Sequence, residues 1–99
     1  LTDPDNPFYN RLAGKILKLQ GNPELADIEF QSAVHKDEKR LAEANLEWKH
    51  VRALKSLGET YAEMGNFDMA RQRYYEAFSK AQDKQTKTTI ERLINELNN

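Results

Sequence analysis

The sequence contains no cysteine, which excludes disulfide bonds, thiolate metal ligands and a cysteine nucleophile. Proline and glycine are scarce, with three and four residues, so breaks in regular structure are few and their positions are informative. No apolar run approaches the roughly 20 residues that a membrane-spanning helix needs, and we expect no membrane partner. The chain begins at Leu1 rather than methionine, as a processed form or part of a longer protein would. The cellular compartment stays open.

The chain also lacks an excess of charge of either sign. Its 15 lysines and arginines stand against 16 aspartates and glutamates, giving a formal net charge of -1. Global charge therefore favours neither a nucleic acid nor a membrane as partner, and any charge that serves binding must be local. A length of 99 residues with 38% hydrophobic residues predicts one globular domain with a modest core, and the aliphatic content favours helices.

The most informative feature of the sequence is an internal repeat. A shift of 44 positions superimposes six pairs of like residues, all of them small, aromatic or typical of turns. The pairs are Gly14 with Gly58, Gly21 with Gly65, Asn22 with Asn66, Ala26 with Ala70, Phe30 with Tyr74, and Ala33 with Ala77. Six matches in one register indicate two copies of one structural unit.

Each copy contains a Gly-Asn pair that predicts a corner between two helices. Gly21 and Gly65 can adopt the positive φ with which many helices end, and the asparagine that follows each can cap the next helix. In the first copy, Pro23 and Glu24 suit the first helical turn. After each corner, the small-aromatic-small residues fall at i, i+4 and i+7, so one face of the second helix can pack closely against a neighbour.

These signals and the helical spacing of the apolar residues predict five helices, over about residues 7–20, 23–36, 38–64, 67–82 and 84–98. We place the reversal between the second and third helices near residues 35–39, with Asp37 as the cap. The last helix carries an apolar stripe at i, i+3, i+4 and i+7. Its residues are Ile90, Leu93, Ile94 and Leu97. Such a stripe is typical of a helix that caps a repeat stack, or of the first helix of a further repeat.

Residues 54–77 resemble the tetratricopeptide repeat, whose pattern has Leu-Gly-x2-Tyr followed by Ala-x3-Phe. The matching residues are Leu54, Leu57, Gly58, Tyr61, Gly65, Ala70, Tyr74 and Ala77. The second copy, about residues 51–84, matches the pattern more fully than the first, about residues 7–40, which has Asn10 and Leu17 where tryptophan and tyrosine are preferred. The period exceeds the usual 34 residues by ten, and Glu38 and Gln82 replace the closing proline.

The resemblance implies an all-α fold: a right-handed stack of antiparallel helical hairpins, with two repeats and a C-terminal capping helix in a single domain over residues 1–99. It also implies a protein-binding module, a scaffold or adaptor, that holds a peptide or partner segment in the concave groove lined by the first helices of its repeats. Carried over by register, the groove residues are Phe8, Arg11, Lys15, Lys18, Arg52, Lys55 and Glu59. Because five of the seven are basic, we expect a preference for acidic segments; the alternative is a solvated face of mixed charge.

No catalytic, metal-binding or cofactor-binding pattern is visible in the sequence. His35 and His50 are 15 residues apart and no accompanying metal ligands are evident. The four glycines are dispersed and form no phosphate-binding loop. The carboxylates fall on polar helix faces, where solvation and pairing explain them. We therefore expect no enzyme activity, no cofactor and no metal.

Trp48 lies in the stretch that lengthens the repeat. We interpret this single tryptophan as packing against Leu41 or the C-terminal helix, with an exposed anchor for a partner as the alternative.

Two other functions stay open. The exposed end of a short stack could pair with a second copy of the chain to form a homo-oligomer. Other helical repeats bind RNA, but the near-neutral charge argues against a nucleic-acid partner here.

Overall fold

The computed structural model describes residues 5–98, which form five α-helices and no strand. The helices are α1 (Pro7–Leu19), α2 (Pro23–Glu43), α3 (Glu47–Glu63), α4 (Phe67–Lys80) and α5 (Lys84–Leu97). Each helix packs against the next one along the chain, and α1 also touches α3. The expectation of an all-helical fold is confirmed. Within the described part of the chain, no helix combines the length and the apolar character needed to cross a membrane.

The two Gly-Asn corners share one backbone structure. Gly21 has a φ of +81° and Gly65 a φ of +80°. In both corners the asparagine N–H donates to the carbonyl oxygen five residues before it, at an N···O distance of 2.9 Å. The glycine N–H donates to the carbonyl three residues before it, at 3.1 Å for Gly21 and 3.0 Å for Gly65. This pair of bonds is the Schellman arrangement, so the repeat seen in the sequence extends to the backbone hydrogen bonds.

Aromatic rings and small residues hold each hairpin together. Phe30 of α2 lies against Gly14 of α1, and Tyr74 of α4 lies against Gly58 of α3. The alanines that flank both rings are buried, with exposed fractions of 2% or less. The small-aromatic-small stripe therefore packs as its spacing predicts.

A hydrophobic core lies between α3, α4 and α5. It is formed by Val51, Leu54, Ala70, Tyr74, Ala77, Ala81, Ile90 and Ile94. Leu93 and Leu97 of α5 pack against this cluster while partly exposed. The apolar stripe of the last helix thus covers the α3–α4 hairpin.

The predicted reversal at residues 35–39 is wrong. The second helix continues to Glu43, and the chain turns over residues 44–46 before α3 begins at Glu47. Asp37 therefore caps nothing; it lies inside α2 and is 1% exposed. The turn escaped prediction because its local signal is weak. It contains neither glycine nor proline, Asn45 is its only turn-favouring residue, and its N-cap residue, Leu46, makes no side-chain capping bond.

The extra residues of the period lengthen two helices. The second helix has 21 residues against 14 in α4, and α3 has 17 against 13 in α1. Asp5, just before α1, is level with Lys39, since Asp5 Oδ1 lies 3.9 Å from Lys39 Nζ. The end of α2 and the beginning of α3 therefore extend beyond the beginning of α1.

Candidate functional site

The extension of α2 and α3 beyond α1 bounds a cleft of about 620 Å³. We call it the overhang cleft. Its charged and aromatic lining residues are Phe8, Arg11, Asp37, Arg40, Glu43, Trp48, Lys49, Arg52, Lys55 and Glu59. Five of these are cationic and three acidic, so the cleft is locally positive in a chain whose formal charge is -1. Four of the ten come from residues 40–49, at the end of α2 and the beginning of α3, where these two helices are longer than their counterparts.

The seven predicted site residues divide between this cleft and a neighbouring groove. The overhang cleft contains Phe8, Arg11, Arg52, Lys55 and Glu59. A second cavity of about 410 Å³, the α1–α3–α5 groove, is lined by Phe8, Arg11, Lys15 and Glu59 among others. Lys18 lines neither of these two cavities. The structure therefore brings six of the seven to two adjoining cavities that share Phe8, Arg11 and Glu59.

Most of the predicted cations are paired within the molecule. Glu59 lies 3.5 Å from Arg11 and 3.0 Å from Lys55. Glu63 Oε1 lies 3.7 Å from Lys15 Nζ, and its backbone carbonyl accepts a hydrogen bond of 3.0 Å from Lys18 Nζ. The free positive charge is consequently smaller than the five basic residues of the sequence suggest.

Arg52 differs from the other predicted cations. It is exposed, and it makes no ion pair or hydrogen bond with any residue of the described range 5–98. Because its guanidinium keeps its full set of donors, Arg52 is available for two parallel hydrogen bonds to a carboxylate.

Asp37 is a buried carboxyl group in the wall of the overhang cleft. Within residues 5–98, neither of its oxygens has a hydrogen-bond partner of full geometry. Burial raises the pKa of Asp37 to about 6. A hydrogen bond from the Ser56 hydroxyl and the positive charges of Arg11 and Arg40 lower this pKa, but they do not outweigh the effect of burial. The group therefore changes charge near pH 6. The sequence contained a signal for its burial, because Asp37 follows the buried Phe30 by seven residues on the same helix face.

Trp48 is 56% exposed and therefore lies outside the core, contrary to our first interpretation. It lines two cavities, the overhang cleft and a third cavity of about 410 Å³. We call the latter the Trp48 pocket; its apolar walls come from Leu46, Val51 and Ala81, and Arg52 and Lys55 also line it. The Lys49 ammonium lies 5.7 Å from the Trp48 ring centroid, within cation–π range.

The histidines form no metal site in the described residues. A ring nitrogen of His50 lies 3.0 Å from the Ala44 carbonyl oxygen and so ties α3 to the turn before it. His35 is exposed on α2. Between Asp5 and Asn98, no three or more His, Cys, Asp or Glu side chains cluster so as to hold a metal ion.

Comparisons with family models, curated proteins and solved structures yield no significant match to this chain.

Proposed function

We propose that the protein is a non-catalytic, tetratricopeptide-like protein-binding module, a scaffold or adaptor that holds an extended partner segment. The two Gly-Asn corners, which share their backbone hydrogen bonds, and the two glycine–aromatic contacts support this assignment. The tetratricopeptide pattern has a glycine and an aromatic residue at the positions that make these contacts. In this proposal the hairpins stack with a right-handed twist, and α5 is the capping helix.

The overhang cleft, with Trp48 and Arg52 at its edge, is the observation that carries the binding function. Its volume of about 620 Å³ falls within the roughly 300–1,000 Å³ of pockets that hold ligands. Tryptophan and arginine are the residue types most enriched where interfaces gain their affinity. An exposed indole beside a guanidinium that has no partner among residues 5–98 therefore offers both apolar area and a directed charge to a partner.

The lining residues indicate a segment that carries an acidic and an apolar side chain close together. A carboxylate of the partner pairs with Arg52. Since Arg52 and Lys55 line both the overhang cleft and the Trp48 pocket, a neighbouring residue of the same segment reaches either cavity. The walls of the Trp48 pocket at Leu46, Val51 and Ala81 suit the apolar side chain.

The predicted groove spanned α1 and α3, whereas the proposed site is centred on the beginning of α3. Lys15 and Lys18 are engaged with Glu63, so their part in binding is to fix α1 against α3. Arg11 and Lys55 share Glu59 and hold the wall of the cleft in place. Trp48 and Arg52 make the direct contacts with the partner.

Selection from a random peptide library against the immobilised protein tests the proposal. We expect the selected peptides to be enriched in aspartate or glutamate next to a large apolar residue. Fluorescence anisotropy with a labelled selected peptide then compares the wild type with Arg52→Glu and Trp48→Ala. Each substitution is expected to weaken binding at least about tenfold, which corresponds to about 1.4 kcal/mol.

Arg92→Glu is the matched control, since it makes the same change of charge at an exposed position of α5 outside the overhang cleft and the Trp48 pocket. Its affinity for the peptide is expected to equal that of the wild type. An equal loss in Arg52→Glu and Arg92→Glu would show unspecific electrostatic attraction, and a selection without enrichment would contradict the proposed function.

A further inference from the structure

The charged side chains of α1 all reach towards α3. Arg11 Nη1 donates to the Ser56 hydroxyl at 3.1 Å, Lys15 pairs with Glu63, and Lys18 donates to the Glu63 carbonyl oxygen. The helix contains no acidic residue. The side of α1 away from α3 is therefore free of charge.

An apolar stripe runs along the exposed face of α1 beside these cations, and one of its residues, Leu12, also lines the α1–α3–α5 groove. Tyr9, Leu12, Ile16 and Leu19 fall at i, i+3, i+7 and i+10, which places them along one helix face. Their exposed fractions are 50%, 42%, 47% and 87%, and on the adjoining helix α2 Leu25 and Ile28 are also more than half exposed. A contiguous row of large exposed apolar side chains marks an interaction surface.

The solvent-exposed surface of the last helix is polar. All exposed residues of α5 are polar or charged, and its apolar residues are buried or partly buried against the core, with Leu93 and Leu97 also lining the α1–α3–α5 groove. The stripe of one copy therefore finds no apolar counterpart on α5 of another, which disfavours an open head-to-tail chain of copies. The remaining closed arrangement sets stripe against stripe across a twofold axis.

The spacing of the stripe suits that arrangement. Its intervals of three, four and three residues read the same in both directions. In an antiparallel pair of α1 helices centred at Gly14, Tyr9 faces Leu19 of the partner subunit, and Leu12 faces Ile16 of the partner subunit. Lys15 comes opposite Ala13 of the partner subunit, so no two charges of α1 are opposed.

The exposed apolar area is sufficient for a dimer. A fully exposed tyrosine side chain offers roughly 200 Å², and a leucine or isoleucine roughly 120 Å², the area that about 3 kcal/mol at 25 cal/mol per Å² implies. On that basis the four stripe residues with Leu25 and Ile28 offer on the order of 450 Å² of apolar surface per copy. A standard interface buries about 800 Å² per partner, much of it in a polar rim.

We infer that α1 is a self-association surface through which two copies of this chain form an antiparallel, twofold-symmetric dimer. None of the four stripe residues lines the overhang cleft, so the dimer leaves the proposed binding site open.

Light scattering of the protein as it elutes from a size-exclusion column, over a wide series of protein concentrations, tests the dimer. The mass is expected to rise from 11.5 kDa to twice that value with increasing concentration. Leu19→Glu is expected to stay monomeric with an unchanged circular dichroism spectrum, because an 87% exposed side chain contributes little to the fold. Tyr75→Glu, at an exposed aromatic position of α4, is the matched control and is expected to dimerise like the wild type.

Cross-linking tests the antiparallel register, since the chain has no cysteine of its own. A Tyr9→Cys variant mixed with a Leu19→Cys variant is expected to form a disulfide-linked pair under oxidation. Neither variant alone is expected to do so, because its two cysteines would lie about 15 Å apart along the helix axis, beyond disulfide reach. A wild type that is monomeric throughout, a dimer that Leu19→Glu leaves intact, or cross-links in Tyr9→Cys alone would overturn the inference.

Discussion

The ring of Tyr74 fills the space into which a side chain at position 58 would project. A Cβ added to Gly58 would lie 2.4 Å from Tyr74 Cε1, and Gly14 stands in the same relation to Phe30, at 2.5 Å. Both glycines lie inside helices, where glycine costs about 1 kcal/mol relative to alanine. Close approach of an aromatic ring explains both, and the α1–α2 and α3–α4 hairpins are built on the same contact.

Gly58→Ala tests that contact. Alanine favours the helix by about 1 kcal/mol, but its methyl group collides with a ring that is only 2% exposed and enclosed by the core. Overpacking costs about 1–3 kcal/mol, and a collision this close belongs at the upper end of that range. After the helical gain of about 1 kcal/mol, we expect a net loss of about 2 kcal/mol in the free energy of unfolding, measured by urea denaturation. In the double variant with Tyr74→Leu, the alanine should be tolerated better than in the single variant. A Gly58→Ala protein as stable as the wild type would contradict the packing described.

The corner glycines, Gly21 and Gly65, occur in both copies of the repeat for a different reason. Gly65 has a φ of +80°, and no atom lies within 4 Å of an added Cβ. Glycine is therefore favoured here by the backbone conformation and not by contact with a neighbouring side chain. Gly65→Ala is expected to lower the free energy of unfolding by about 1 kcal/mol. Gly65→Asn should lower it less, since asparagine tolerates the left-handed region. Equal effects of the two substitutions in urea denaturation would argue against this explanation.

Asp37 makes the stability depend on pH. Its folded-state pKa of about 6 exceeds the ordinary 3.8, so the folded protein binds this proton more tightly than the unfolded chain. Protonation of Asp37 therefore adds on the order of 3 kcal/mol to the free energy of unfolding. This contribution is complete below pH 3.8 and is lost as the pH rises through 6. In Asp37→Asn the group stays neutral, so the variant should gain stability relative to the wild type between pH 4 and pH 7. Urea denaturation across this range measures the difference; a difference independent of pH would contradict the assignment.

Much of the fold could be predicted because its signals are local. The Gly-Asn pairs predict the ends of α1 and α3. The spacing of Ile90 and Ile94 predicts the buried face of α5. The α2–α3 turn could not be predicted in the same way, because Leu46 makes no side-chain cap and helix-forming residues continue on both sides of it. The misplaced turn also misassigned Asp37, which lies inside α2 and is buried.

The candidate site was predicted less completely because its charges depend on packing between helices. Arg11 and Glu59 are 48 residues apart in sequence, and only the register of α1 against α3 brings them within 3.5 Å. The exposure of Trp48 follows from where α3 begins, which no local pattern revealed. Six of the residues predicted from the repeat register line two cavities of the structure. That Arg52 has no ion pair or hydrogen bond among residues 5–98, and can therefore bind a partner, could be seen only in the structure.

Trp48 offers the most direct measurement of the proposed binding function, because it is the only tryptophan and it is 56% exposed. Titration with a selected acidic-apolar peptide that lacks tryptophan should shift the fluorescence emission of Trp48 to shorter wavelength. The shift should saturate with the same dissociation constant that anisotropy gives for the labelled peptide. A peptide that binds by anisotropy while the Trp48 emission stays unchanged would contradict binding at the overhang cleft.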